Sequence, residues 1–351
     1  MAYTTIDNPS EFFSTTLYTG DGSADQSMTG AGFKPDFLWI KRRNASERHV
    51  LTNAQMDVSS GAYTWLDSSD NSAQFSGGTG VASFDSDGFT IKTSDSTWNT
   101  NSSTYVFWSW KANGGTGTTN NDGNRTTTVQ ANTTAGTSIV TYLSNGSASS
   151  QTLGHGLGAA PDLILSKRKG ATANWLVYHK SLGAGSFIYL NSNVAQSSSS
   201  PPYQATPTST VFSTQNAFQA TDNFVSYCFA EKQGFSKFSS YVGNGNGDGP
   251  FVYTGFKPAF VMIKPTSYVE AWVIIDAERN PYNQAMLQLN PNSNGAEYNG
   301  ASVTNGIDIL SNGFKVRTSR TELNTSGGSL IYMAFAENPF VTSTGIPTTA
   351  R

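Results

Sequence analysis

The stretch Gly32-Phe-Lys-Pro-Asp-Phe-Leu-Trp-Ile-Lys41 decides the fold, because it is met again as Gly255-Phe-Lys-Pro-Ala-Phe-Val-Met-Ile-Lys264. A looser copy reads Leu157-Gly-Ala-Ala-Pro161-Asp-Leu-Ile-Leu-Ser-Lys167. In each, a proline precedes a short apolar run that ends on lysine, the pattern of a strand buried in a sandwich core. Upstream stand Tyr18 with Asp21-Gly22, Tyr142 with Asn145-Gly146, and Tyr241 with Asn244-Gly245. These Asx-Gly pairs supply the positive φ that a tight turn needs. Downstream, His49, Trp175 and Trp272 each open an apolar run. A second turn follows at Asp87-Gly88-Phe89, Asn216-Ala217-Phe218 and Asn312-Gly313-Phe314, and each copy closes on an aromatic strand, at 105–110, 224–229 and 330–335.

Landmarks in one order, three times over, are an internal repeat, and a repeat fixes architecture before any residue is given a role. Turn signals this frequent, with no convincing helical period, predict an all-β chain of three tandem antiparallel β-sandwich repeats. Their bounds are 1–112, 138–232 and 233–351, the last carrying a C-terminal tail. The Gly/Thr/Asn-rich segment 113–137 has too little apolar surface to fold alone and reads as a linker. Only 232–236 separates the second copy from the third, which predicts rigid coupling of those two.

Composition narrows function. Of 351 residues 13% are charged, and the net charge is −3. No basic cluster exceeds Lys41-Arg42-Arg43 or Lys167-Arg168-Lys169, so no nucleic-acid partner is expected. Both clusters read as solvated strand ends, with the recurring Lys41, Lys167 and Lys264 snorkelling from sheet edges. No apolar stretch is long enough to span a membrane, and the first residues lack the pattern of a secretory signal. Cys228, the one cysteine, fills a slot held by Ser109 and Ala334 in the other copies and reads as a packing residue.

Residue patterns that carry chemistry are few. A sandwich glycosidase needs two carboxylates across a cleft, yet no Glu-x-Asp or Glu-x-Glu occurs. Asp85 and Asp87 read as turn formers. His49, His155 and His179 lack metal-ligand spacing, and no cofactor is expected. Asn244-Gly-Asn246-Gly-Asp248 has the oxygen spacing of a calcium loop but lacks its closing glutamate, Gly255 standing there, so a hairpin turn is the favoured reading. Trp175 and Trp272 read as core anchors. Loops 197–207 and 290–305 are expected at the surface. A sugar-binding face needs exposed aromatics flanked by amides or carboxylates, and the loop candidates are Trp98, Tyr203, Tyr282 and Tyr298.

The Gly-Phe-Lys-Pro-x-Phe-x-x-Ile-Lys strands, Gly154-His-Gly-Leu-Gly158, Ser311-Asn-Gly-Phe314 and Tyr332-Met-Ala-Phe-Ala-Glu-Asn-Pro-Phe340 resemble virion proteins of tailed bacteriophages, frequent in phages of marine bacteria. The resemblance covers essentially the whole chain. It implies concanavalin A-like or laminin G-like sandwich domains, assembly in the bacterial cytoplasm, and a place on the virion. The expected role is a non-catalytic tail fibre or appendage that adheres to host surface glycans, with capsid decoration or a head fibre as the alternative and a polysaccharide-degrading enzyme as the minor one. Partners are then other virion proteins of tail or capsid, host glycans, and copies of the chain itself. A trimer is the form considered, although no heptad repeat accompanies it.

Overall fold

A computed structural model describes residues 2–56, 62–92, 95–146, 149–215, 221–299 and 305–348. The chain is all-β, with several antiparallel sheets. Its first third forms β1 (Phe13–Thr19), β2 (Gln26–Thr29), β3 (Phe37–Arg42), β4 (His49–Asn53), β5 (Tyr63–Asp67), β6 (Phe75–Gly77), β7 (Val81–Asp85), β8 (Gly88–Ile91) and β9 (Thr104–Trp110). They make a six-stranded sheet, β1-β9-β3-β4-β5-β6, and a three-stranded one, β2-β8-β7.

The middle third supplies β10 (Thr118–Asn120), β11 (Thr127–Asn132), β12 (Thr137–Leu143), β13 (Gln151–Gly154), β14 (Leu163–Arg168), β15 (Leu176–His179), β16 (Ile188–Tyr189), β17 (Val211–Thr214) and β18 (Asn223–Phe229). Seven of these join as β10-β11-β12-β18-β14-β15-β16, and β13 pairs with β17. The last third gives β19 (Ser236–Val242), β20 (Phe251–Tyr253), β21 (Phe256–Pro265), β22 (Val273–Asp276), β23 (Leu287–Gln288), β24 (Tyr298–Asn299), β25 (Ile307–Leu310), β26 (Gly313–Val316), the short helix α1 (Thr321–Asn324) and β27 (Ser329–Pro339). Its sheets run β19-β27-β21-β22, β20-β26-β25 and β23-β24.

The order β1-β9-β3-β4 thus returns as β12-β18-β14-β15 and as β19-β27-β21-β22. Side-chain alternation explains why the middle strands read as unbroken apolar runs. In β3, Leu38 and Ile40 face one core while Phe37 and Trp39 face another. In β14 Ile164 is set against Leu163 and Leu165, and in β21 Val261 and Ile263 against Phe260 and Met262. One face of each large sheet packs locally. The opposite faces of all three meet in a single shared core, so strands buried on both sides show no polar face. That core is aromatic: Phe13 stacks on Phe335 at 4.9 Å, Phe37 on Tyr227 at 4.0 Å, and Trp110 meets Phe260 edge-on at 6.1 Å.

Several expectations need correction. The supposed linker 113–137 contains β10 and β11, and β11 adds to β12 in the register Thr128↔Thr141 to Asn132↔Thr137. Too polar to fold alone, this segment extends an edge that β12 already presents, burying Val129 and Gln130. The first third is therefore joined to the second by a strand-bearing segment and to both others through the shared core. The lysine-bearing strand ends are not solvated: Lys41, Lys167 and Lys264 are 0%, 1% and 0% exposed. Loop 197–207 is exposed at Ser198, Ser199 and Ser200 but turns inward at Pro202 and Tyr203. The Asn216-Ala217-Phe218 turn and residues 300–304 of the second loop lie outside the described residues. Asp87 sits in the turn between β7 and β8, but its carboxylate reaches outside that turn, accepting the Gly30 and Gly32 N–H groups of the loop after β2 at 3.2 and 2.6 Å; Cys228 is buried.

Candidate binding site

The recurring lysines mark the joints between thirds. Lys41 Nζ donates to the Asn294 carbonyl at 3.3 Å, Lys167 Nζ to that of Asn71 at 3.3 Å, and Lys264 Nζ to that of Asn193 at 3.2 Å. Each reaches a second carbonyl, of Arg42, Ala173 and Pro265 respectively. Burial pulls all three ammonium groups down to about 8. Main-chain bonds run beside them: Glu297 N to Arg43 O at 2.8 Å, Gln74 N to Lys169 O at 2.8 Å, and Gln196 N to Thr266 O at 2.7 Å.

The residues opening β4, β15 and β22 complete the same joints. Trp175 Nε1 donates to Asp67 O at 2.7 Å and Trp272 Nε1 to Tyr189 O at 2.9 Å. His49 directs its imidazole at the Asn290 main chain, outside hydrogen-bond geometry, while its Nδ1 accepts Trp39 Nε1–H at 3.0 Å. Each third therefore grips a neighbour, in a closed ring of three. The acceptor segments, Asn71-Ser-Ala-Gln74, Asn193-Val-Ala-Gln196 and Asn294-Gly-Ala-Glu297, share the pattern Asn-x-Ala-Gln/Glu. That repeat was available in the sequence, and it is the signal that would have found the joints.

The four aromatics expected to bind sugar separate into two pairs. Trp98 is 0% exposed, in the first local core edge-on to Trp65 at 5.9 Å. Tyr203 is 1% exposed, its hydroxyl donating to Ser166 Oγ at 2.7 Å. Both are core residues, because the loops that carry them fold back over the sandwich. Tyr282 stands 80% exposed but lines none of the clefts described below. Tyr298, on β24 and 39% exposed, opens onto a cleft of about 270 Å³.

Glu270, Gln288, Asn290, Arg320 and Glu322 line that cleft with it. β23 and β24 carry Gln288 and Tyr298, and α1 with the residue before it brings Arg320 and Glu322. Arg320 lies 6.0 Å from the Tyr298 ring centre and pairs with Glu322 at 2.5 Å; Glu322 also accepts Asn305 Nδ2–H at 3.1 Å. The Thr321 hydroxyl donates to Glu270. Glu322 raises the Arg320 guanidinium above its ordinary value. A half-exposed ring among carboxylates, an amide and a guanidinium offers one stacking face and hydrogen-bond partners for hydroxyls.

The loop with calcium-like spacing turns its oxygens to N–H groups. Asn244 Oδ1 accepts from Asn246 N and Asn324 Nδ2, each at 2.9 Å, and Asn246 Oδ1 accepts from Asp248 N at 3.0 Å. Asp248 pairs with Lys315 at 2.8 Å and Arg317 at 3.8 Å, which lowers its carboxyl. Among the described residues no group of three or more His, Cys, Asp or Glu is placed to hold a metal ion. All three histidines are buried, and desolvation takes His179 down to about 4. Burial pushes the Cys228 thiol well above its ordinary value, so it is a poor nucleophile.

No helix is long and apolar enough to cross a membrane among the described residues. Residues 8–339 match the family described as a domain of unknown function, DUF7483, and the chain belongs to that family. No curated protein matches it.

Proposed function

We propose that this DUF7483 chain is a non-catalytic virion structural protein of a tailed phage. In this reading it consists of three tandem antiparallel β-sandwich repeats, of the concanavalin A-like or jelly-roll kind, and adheres to host surface glycans through the Tyr298 cleft. The recurring strand order and the ring of lysine joints support the repeat reading. The sequence resemblance supports the virion. The observation that carries glycan binding is the half-exposed Tyr298 ring set among Glu270, Gln288, Arg320 and Glu322. Pyranose rings present apolar faces that stack on such a ring while their hydroxyls find the polar neighbours.

A glycan array probed with the purified chain tests this. Binding that falls at least tenfold in Tyr298→Ala is expected, since one lost stacking contact is worth roughly 1.4 kcal/mol or more. A blank array, or binding indifferent to Tyr298, sinks the adhesion reading. Shortening of the bound saccharide would instead favour the polysaccharide-degrading alternative, with Glu270 and Glu322 as the first carboxylates to replace.

The ring of joints favours a second reading, decoration of the capsid. A body with threefold pseudo-symmetry presents three related surfaces to a lattice position of matching symmetry. Locating the chain in a cryo-electron-microscopy map of the particle separates the two: density at the tail supports adhesion, and density on the shell supports decoration.

A further inference from the structure

Each third sets a comparable strand, β1, β12 or β19, beside its long aromatic strand, and the three differ in what lies on the other side. β1 pairs with β9 from Phe13↔Trp110 to Tyr18↔Tyr105, and β12 pairs with β18 in the same register, Thr137↔Phe229 to Tyr142↔Phe224. Phe13, Ser14 and Thr15 therefore correspond to Thr137, Ser138 and Ile139. On β12 those three positions are covered by β11, through Asn132, Ala131 and Gln130. At β19 the neighbouring space holds an ion network: Lys237 and Lys180 both meet Glu231 at 2.6 Å, and Lys180 meets Asp162 at 3.1 Å. β1 is the terminal strand of its sheet. Beside Phe13, Ser14 and Thr15 runs a groove of about 200 Å³, floored by Ala259, Ala277 and Ala336.

Comparison with the joint that β11 fills shows what the groove lacks. There the carboxylate of Asp36 accepts the N–H groups of Ala112 and Gly114 at 2.7 and 2.9 Å, and Gln130 approaches it at 3.4 Å. Ala259 follows its proline as Asp36 does and has no carboxylate to offer. Ala54 N donates to Asp36 O at 2.9 Å and Ala277 N to Ala259 O at 2.8 Å, which sets Gln55 and Glu278 in equivalent places. The Gln55 amide donates to Ile139 O at 3.1 Å and accepts the Thr141 hydroxyl at 3.0 Å, bracing β12. Glu278 has no N–H to give β1. It forms no ion pair among the described residues, and burial together with Asp276 and Glu337 raises its carboxyl. The Thr15 hydroxyl beside it is buried without a partner.

We propose that this groove receives an extended segment of another protein chain, added to the free edge of β1 as β11 is added to β12. Small side chains would face the alanine floor, and a Lys or Arg would meet Glu278. Strand addition takes its affinity from main-chain hydrogen bonds and its selectivity from pockets for alternate side chains. Open edges are ordinarily blunted by charge or proline, and Phe13-Ser-Thr-Thr-Leu-Tyr-Thr19 carries neither. Lys237 on β19 shows the blunting that β1 lacks. The inference does not rest on glycan binding.

The test uses the full chain and a fluorescein-labelled peptide with the sequence of residues 125–133, the chain's own edge-adding segment, carrying Thr128→Lys because Thr128 lies beside Gln55, the equivalent of Glu278. Saturable binding by anisotropy is expected, weakened at least tenfold by Ala259→Trp, which fills the groove, and several-fold by Glu278→Gln. Hydrogen exchange on the wild-type chain must show peptide-dependent protection confined to 13–17, a readout that survives if the tryptophan variant fails to fold. Absence of saturable binding, binding unchanged in a folded Ala259→Trp, or protection at 236–242 instead overturns the proposal.

Discussion

The joint between the first and last thirds and the joint between the first and second use the same main-chain clasp and different side-chain chemistry. At the first, Glu297 takes a two-pronged bond from Arg43, 2.9 Å on each arm, and a third contact from Arg279 at 3.0 Å. Arg279 in turn pairs with Asp276 at 2.6 Å, both fully buried, and Trp108 Nε1 donates to the same carboxylate at 3.0 Å. At the second, the equivalent of Glu297 is Gln74, whose Oε1 is buried without a partner. The clasp depends on carbonyls and N–H groups that every residue has, so its geometry persists while the side chain beside it changes from the ionic Glu297 to the neutral Gln74. The ionic joint has more to lose.

That difference sets an order of expected effects. Arg279→Ala leaves Asp276 buried without its cation and should cost about 3–5 kcal/mol in urea unfolding. A loss under about 1 kcal/mol would mean water reaches the joint. Trp175→Phe removes one indole N–H from the Asp67 carbonyl and should cost about 1–3 kcal/mol, the penalty of an orphaned buried acceptor. Trp272→Phe should match it, since the two bonds are alike, and a twofold disparity would break the equivalence of the joints. Gln74→Ala should stay within about 0.5 kcal/mol, as its amide oxygen already lacks a partner.

The lysines make a prediction in pH. In the folded chain Lys41, Lys167 and Lys264 release protons near 8, against about 10.5 when unfolded. Below pH 8 both states hold the proton and the cost of burying the charge is fully present. Between 8 and 10.5 the unfolded chain binds more protons, so stability rises with pH through that window. Above about 10 the buried tyrosines oppose it, since Tyr203 and Tyr227 are raised when folded and ionise more readily when unfolded. Urea midpoints at pH 7 and 9.5 should increase with pH, and the increase should shrink when the three lysines are replaced by methionine. A flat profile in the parent chain would show that the ammonium groups are better solvated than their burial indicates.

What the sequence made legible was local. Pro35, Pro161 and Pro258 located the central strands, and the Asx-Gly pairs located turns, because both act through a residue's own dihedral preferences. Less legible was anything that depends on a distant surface. Lys41 looks like a snorkelling strand end until Asn294, far along the chain, supplies its carbonyl. The 113–137 segment looks like a tether because its partner edge, β12, is invisible in its own composition. Trp98 and Tyr203 have the neighbours of binding residues in sequence and those of core residues in space. Tyr298 was nameable, whereas Glu270 and Arg320 reach it from the loop before β22 and from the residue ahead of α1, places with no motif.

An assembly of identical subunits repeats every substitution at every interface. Here one chain carries all three joints, so Asp36, Asp162 and Ala259 can diverge at corresponding positions without sacrificing the ring. Among the described residues the groove beside β1 has no counterpart at β12 or β19, so the segment proposed to occupy it would bind once per chain. A body with three related sides has acquired a front.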